Sequence, residues 1–350
     1  MISFYLLLYL SFLSLFGVSR ALDYIGADFS SLIDLENDGT TYTFDGTESA
    51  FETILAENGA NLARIRIWTS DEYTEYSLDY GLALAKRAVD AGMALLIDLH
   101  YSDTWADPSD QAIPSGWSDS LDSLNTEIYN YTMEVVAAFS AQGTPIDYLQ
   151  VGNEINSGIL FPTGEISVNG YDPLSQLLNS AVSGAHTADS SVKIVVHLAN
   201  GWDGSAMLSF YEQIFISGAF EEDDLDVMGF SFYPFYGDDA TLDALESSLS
   251  ELVSTYGKDI MVVETDWPIS CSGVTLSDTS IPISAAGQVE WMSDIQSILE
   301  GLDDSHGIGL SYWEPGWIGN DDLGSSCADN LIVDDDGSVL SSVSMFSGSS

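Results

Sequence analysis

From Tyr24 onward the chain alternates between short apolar runs and longer stretches in which apolar residues recur every three or four positions. The short runs are Tyr24–Ala27, Leu62–Trp68, Ala94–Leu99, Tyr148–Gly152, Ile194–His197, Val227–Phe232, Ile260–Val263 and Ile308–Tyr312. Runs of this length read as buried strands, and the stretches between them read as helices. In Ser77–Ala91 the residues Leu78, Leu82, Ala85 and Val89 keep helical spacing, with Ser77 placed to cap and Gly92 to stop the helix. The segments Leu124–Gln142, Pro173–Asp189, Leu242–Tyr256 and Ala285–Gly301 follow the same pattern.

Strands that alternate with helices imply a parallel sheet covered by helices, and eight such units predict a closed (β/α)₈ TIM barrel, an α/β fold. The competing architecture is a doubly wound open sheet. That fold more often carries a Gly-rich turn after its first strand, and Gly26-Ala27-Asp28-Phe29 is not such a turn. No internal repeat or Pro-rich linker divides the 350 residues, so 22–350 is expected to form one catalytic domain. Ahead of it, the apolar stretch Ile2–Val18 followed by Ser19-Arg20-Ala21 reads as a secretory signal over 1–21. A retained anchor is the alternative. The sequon Asn130-Tyr131-Thr132 fits a secreted glycoprotein, with Asn130 as acceptor. The even count of two cysteines, Cys271 and Cys327, suits one disulfide in an oxidising compartment.

Charge narrows the partners. The net charge is −48, from 55 acidic residues against 7 basic ones. Nucleic acid and anionic membranes would be repelled, which favours a neutral partner and a soluble, monomeric protein. The scarcity of cations makes their positions informative. Arg64 and Arg66 lie two apart in a strand, so both project from one face, and pairing them there predicts a buried acidic partner.

Catalytic residues of a (β/α)₈ barrel sit at the carboxyl ends of its strands. In chain order those ends carry Trp68, then Asp98, His100, Tyr101 and Asp103, then Asn153 and Glu154, His197, Tyr233, Glu264, and finally Trp313 and Glu314. Glu154 and Glu264 close the fourth and seventh strands, which face each other across the barrel mouth. Glycoside hydrolysis needs two carboxyl groups in such a relation, one to protonate the leaving oxygen and one to attack the sugar. No His-Glu-x-x-His helix or convergent third ligand suggests a catalytic metal, and no Gly-x-Ser-x-Gly elbow suggests a serine hydrolase. No cofactor is expected. Asp334-Asp335-Asp336-Gly337 reads as an acidic turn, because it lacks the alternating ligands of a calcium loop.

The run Leu99-His100-Tyr101-Ser102-Asp103-Thr104-Trp105-Ala106-Asp107-Pro108 and the segment Gly152-Asn153-Glu154-Ile155 resemble the arabinogalactan endo-β-1,4-galactanases of glycoside hydrolase family 53. The resemblance continues through Ser231–Tyr236, Val263-Glu264-Thr265 and Tyr312-Trp313-Glu314-Pro315, while Ser326–Asn330 is similar to the fungal branch. It implies retaining hydrolysis of β-1,4-galactan, a neutral side chain of pectin, with Glu154 as acid/base and Glu264 as nucleophile. It further implies that Asn153 binds the sugar 2-hydroxyl, that Tyr233 hydrogen-bonds the nucleophile, and that Arg64 or Arg66 supports it. His100 and Trp313 match positions around the sugar at the cleavage point, Trp105 matches a stacking residue, and Cys271 and Cys327 match a disulfide pair. Departures occur at Asn156-Ser157 and at Phe161, which stands where a tryptophan is usual; Ala328 lacks the tryptophan of a calcium-associated loop, so no structural calcium is expected. Two alternatives remain: cleavage of mannan or glucan by the same machinery, and a barrel that binds polysaccharide without turnover.

Overall fold

The computed structural model describes residues 21–70 and 75–348. Eight parallel strands, β1 (Tyr24–Asp28), β2 (Leu62–Ile67), β3 (Ala94–Leu99), β4 (Tyr148–Val151), β5 (Lys193–Leu198), β6 (Val227–Ser231), β7 (Asp259–Glu264) and β8 (Gly307–Trp313), follow one another around a closed barrel. β1 closes it by pairing with both β2 and β8. Two short helices, α1 (Leu32–Asn37) and α2 (Phe51–Glu57), follow β1. One long helix then follows each of β2 to β7: α3 (Leu78–Asp90), α4 (Leu121–Gln142), α5 (Tyr171–Ala188), α6 (Gly204–Ser217), α7 (Leu242–Tyr256) and α8 (Ala285–Glu300). The expected leader lies outside the described residues except for Ala21. No helix among the described residues is long and apolar enough to cross a membrane.

The strands stand within a residue or two of their expected positions because each is an apolar run with no competing period. Ser77 caps α3 as expected, its side chain accepting the Tyr80 N–H. Helix α4 begins three residues before the expected start, where Ser120 accepts the Ser123 N–H. α6 was not anticipated. It is apolar on most of its surface, with Met207, Phe210, Tyr211 and Ile214 buried and Ile216 exposed, so no polar face marks its period.

Alternation along the strands separates two layers. Residues of one parity, such as Ile65, Ile97, Leu149 and Val196, face the helices in the main core. The other parity fills the barrel. Its lower part is a separate apolar cluster of Leu62, Leu96, Val195, Val227, Met261, Val263 and Ile308, with Tyr24 and Tyr148 packed edge to face at 5.3 Å. One step toward the mouth, the interior turns polar. β1 to β6 contribute Asp28, Arg64, Asp98, Gln150, His197 and Ser231 in turn, each no more than 2% exposed. Hydrophobic stabilisation comes from below and around this ring, while the ring holds its polar atoms by bonding them to one another.

Glu264 joins the ring through an irregularity. Met261 and Val263 both point inward, so strict alternation would send Glu264 outward to the helices. Between β6 and β7 the register passes from Phe230 opposite Val262 to Ser231 opposite Glu264, leaving Val263 as an extra residue. This bulge turns Glu264 into the mouth.

The loops after β7 and β8 are joined by the Cys271–Cys327 disulfide, beside an antiparallel bridge between Ser270 and Asp329. The acidic turn forms as expected, with the Gly337 N–H bonded to the Asp334 carbonyl. Lys193 begins β5 and Lys258 immediately precedes β7, both at the end of the barrel opposite the mouth. Lys86 lies on α3, paired with Asp90.

The disulfide closes a loop of 56 residues, for which chain entropy gives a stabilisation of about 4 kcal/mol. The double substitution Cys271→Ser and Cys327→Ser is expected to lower the unfolding free energy by up to that amount, measured by urea denaturation.

Candidate active site

The Arg64 guanidinium occupies the centre of the polar ring. Its Nη1 bonds Asp28 at 2.8 Å, and its Nη2 reaches Asp98 at 2.9 Å, Asn153 Oδ1 at 2.9 Å and Glu264 Oε1 at 2.7 Å. The expectation of a buried acidic partner for the arginines holds for both. Arg66, two residues on, pairs with Glu314 at 2.6 Å. The geometry therefore assigns Arg64, and not Arg66, to Glu264.

Glu264 also accepts the Tyr233 hydroxyl at 2.9 Å, and Ser231 Oγ stands 3.3 Å from it. Glu154 lies opposite, at a turn where Gly152 has φ 100° and Glu154 itself φ 48°. A left-handed glutamate is uncommon and costs roughly 1–2 kcal/mol. A side chain at Gly152 would also meet Ile155, since an added Cβ would lie 2.6 Å from it. The turn lifts Glu154 off the β4 axis and over the mouth, where Ser231 donates to its Oε1 at 2.6 Å. Carboxyl oxygens of Glu154 and Glu264 come within 4.8 Å of each other, with a ring nitrogen of His197 equally near. His197 is occupied by the ring itself: its Nε2 contacts Ser231 Oγ at 2.8 Å and its Nδ1 the Gln150 amide at 3.0 Å. Burial, reinforced by the Arg64 charge, keeps this histidine neutral.

Two carboxyl groups this close cannot both ionise freely. Burial, then the Glu264 charge, push Glu154 up to about 8. Glu264 is also raised by burial, yet it alone has a guanidinium and a phenol on its oxygens. Glu154 has a single hydroxyl donor and no cation in contact. The shared proton therefore rests on Glu154, and Glu264 is the carboxylate of the pair.

Around the pair runs a cleft of about 700 Å³. Asn153 is braced on its oxygen by Arg64, and one amide hydrogen goes to the Ala106 carbonyl at 2.8 Å, which leaves the other for a ligand. His100 Nδ1 accepts the Ala106 N–H at 3.1 Å, so the proton is on Nε2, which faces Asp98 at 3.1 Å. Trp105, Trp313 and Trp317 form an aromatic wall, with Trp105 and Trp317 stacked at 6.0 Å and Trp105 39% exposed. Arg66 underlies that wall, 4.4 Å from the Trp105 ring and 4.2 Å from the Tyr76 ring.

Every expected site residue except Asn130 and the two cysteines lines this one cleft: Arg64, Arg66, His100, Trp105, Asn153, Glu154, Tyr233, Glu264 and Trp313. Trp117, Trp202 and Trp267 do not line it; Trp267 is fully buried against Trp291. Phe161 is also outside the lining, and Asn156 serves the backbone, bonding both the N–H and the carbonyl of Ala199. Gln150, Ser231 and Asp266 belong to the site but were not singled out. Gln150 and Ser231 could have been found by parity, since each shares its strand face with inward-pointing residues. Asn130 is exposed on α4.

A (β/α)₈ barrel with two carboxyl groups at the ends of β4 and β7, less than about 5.5 Å apart, has the site of a retaining glycoside hydrolase. The model for "Glycosyl hydrolase family 53" matches residues 24–346, and the chain belongs to that family. Arabinogalactan endo-beta-1,4-galactanase A of Emericella nidulans is 47% identical over 337 residues, covering 94% of this chain and 95% of that protein. The arabinogalactan endo-beta-1,4-galactanase of Humicola insolens is 43% identical over 333 residues, covering 93% of this chain and 99% of that one. Among solved structures, a fungal beta-1,4-galactanase superposes with a TM-score of 0.90 at 42% identity, covering 93% of this chain and 99% of that chain. The family 53 catalytic domain of Ignisphaera aggregans superposes at 0.81 with 27% identity, covering 93% and 95%.

The like charge of Glu264 helps raise Glu154, so Glu264→Gln is expected to lower the Glu154 pKa from about 8, read by NMR titration of labelled glutamate carboxyls. Stability follows the same groups. Glu154, raised to about 8, and Glu314, raised to about 7, bind their protons more tightly folded than unfolded. Below the ordinary value of 4.5 both states are protonated, so these groups add no pH dependence there. As pH rises from that value toward 8 the unfolded state ionises first, and Tm is expected to fall.

Proposed function

We propose that the chain is a secreted, monomeric arabinogalactan endo-β-1,4-galactanase that hydrolyses its substrate with retention at the anomeric carbon, residues 22–350 forming the catalytic domain. The observation that carries this reading is the approach of the Glu154 and Glu264 oxygens to within 4.8 Å, which matches the close carboxyl pair of retaining enzymes and falls short of the roughly 6.5–9.5 Å of inverting ones. The identity to arabinogalactan endo-beta-1,4-galactanases supports the substrate class.

In the first step a Glu264 oxygen attacks the anomeric carbon as the bond to the leaving sugar breaks, and the leaving oxygen takes the proton from Glu154. The product is a galactosyl ester of Glu264. In the second step Glu154, now a carboxylate, removes a proton from water, the water oxygen bonds to the anomeric carbon, and Glu264 leaves as carboxylate. Two inversions restore the original configuration. Arg64 and Tyr233 hold Glu264 ionised and aimed, and both release it as ester formation neutralises it. The free N–H of Asn153 reaches the 2-hydroxyl, His100 and Trp313 bound the same sugar, and Trp105 stacks on a neighbouring unit. The open aromatic wall suits cleavage within a chain.

Secretion is supported by the leader pattern and by two cysteines joined in a disulfide. Asn130 is a glycan acceptor on an exposed helix face. A net charge of −48 keeps nucleic acid and anionic membranes away and leaves neutral polysaccharide as the partner.

Reducing-sugar release from β-1,4-galactan, mannan and β-glucan, measured side by side, tests the reading. Galactan alone is expected to be cleaved. Glu264→Ala is expected to lose at least about 10⁴-fold in kcat and Glu154→Gln about 10²- to 10⁴-fold, both with a wild-type circular dichroism spectrum. Cleavage of mannan or glucan instead would discard the substrate, and binding without cleavage would make the protein a lectin-like barrel. In the wild type kcat/KM is expected to decline as pH passes about 8, where free Glu154 loses its proton.

A further inference from the structure

Asp266 has no part in the two-step reaction, yet it sits two residues beyond Glu264 and contributes to the wall of the same cleft. Its side chain is 1% exposed, and its Oδ1 has no hydrogen-bond partner. The Trp313 N–H, close to the carboxyl, is bonded to the Thr265 carbonyl, and no ion pair reaches Asp266 among the described residues. The nearby cations are committed elsewhere, Arg64 to Asp28, Asp98 and Glu264, and Arg66 to Glu314. A buried carboxyl with an idle oxygen in a cleft wall calls for a partner that the protein does not supply.

We propose that Asp266 is a further sugar-binding residue, whose Oδ1 exchanges hydrogen bonds with a hydroxyl of the galactosyl unit bound beside Glu264. This rests on the galactanase reading above and adds a specificity contact to it. The chemistry follows from the surroundings. Glu264 on β7, Tyr312 on β8, Glu314 and Asp28 face the group, along with Tyr233 and Tyr236 from the loop after β6. All of these are acids, and none is a cation. Burial, then the charges of Glu264, Glu314 and Asp28, keep Asp266 protonated.

A neutral carboxylic acid offers one donor and one acceptor, as a sugar hydroxyl does, whereas a carboxylate could only accept. Asp266 is thus matched to a neutral carbohydrate and mismatched to an anionic one. Oδ1 itself is shielded from solvent, and the terminal torsion of aspartate has broad wells, so rotation about Cβ–Cγ brings an oxygen to the cleft when the sugar binds.

The test has two parts. In kinetics on β-1,4-galactan, Asp266→Ala is expected to lose about tenfold in kcat/KM with an unchanged Tm, while Asp266→Asn, which keeps a donor and an acceptor in place, recovers most of that loss. The second part reads the group directly. In a Glu154→Gln background, the infrared difference between Asp266 and Asp266→Asn proteins at neutral pH should contain a protonated-carboxyl band that shifts when galactotetraose is added. Wild-type kcat/KM in Asp266→Ala, or a carboxyl band that is absent or unmoved by the oligosaccharide, overturns the assignment. If the wild type itself leaves galactan intact, the galactanase reading falls and this contact falls with it; cleavage by wild type and Asp266→Ala alike removes the contact alone.

Discussion

The mouth of the barrel is organised around one buried cation. Arg64 is bonded to residues of β1, β3 and β7 and to Asn153 just beyond β4, while its own backbone belongs to β2. A guanidinium taken wholly out of water is costly, and removing one member of such a cluster typically costs about 3–5 kcal/mol because the rest are left uncompensated. That same cost fixes the geometry. The planar fork of donors cannot satisfy Asp28, Asp98 and Glu264 together unless their strands hold one register. The apolar lower layer could tolerate small slips; the Arg64 layer could not. The asymmetry between the two glutamates follows from it, since only one of them touches the charge.

Irregular backbone gathers at the same end. Tyr101, Glu154, Asn200 and Glu314 follow β3, β4, β5 and β8 and all have left-handed backbone. The bulge at Val263 adds a fifth departure. Each aims a side chain where a regular strand and turn would not, at an energetic cost met by the packed core below. The opposite end of the barrel has an edge-to-face tyrosine plug and a single register shift, between β7 and β8 at Ile260/Met261. Stability and chemistry are thus divided along the barrel axis.

That division explains what the sequence disclosed. Strands and most helices could be read because burial and helical period act locally, residue by residue. The shared face of Arg64 and Arg66 could be read from the two-residue repeat, but the choice between them could not, because parity treats both alike and only the height of Glu264 on its strand separates them. Parity would even have misplaced Glu264, since nothing in Met261–Val263 marks the bulge. Its place at a strand end found that glutamate and the family resemblance gave it a role; parity alone would have pointed it at the helices. Asp266 escaped notice for another reason. An aspartate just past a strand end acquires its meaning here from neighbours far along the chain, and no spacing within its own segment records them. The tryptophans divide in the same manner, three of the eight on the cleft and five elsewhere, by geometry that spacing does not encode.

The distribution of amines has a practical side. The chain has three lysines. Two of them, Lys193 and Lys258, stand at the foot of the barrel, and the third, Lys86, lies on an outer helix. Chemistry directed at primary amines would therefore tether the molecule by its base or flank. A support bearing such reagents would hold the molecules by surfaces away from the groove, which stays free to thread a polymer.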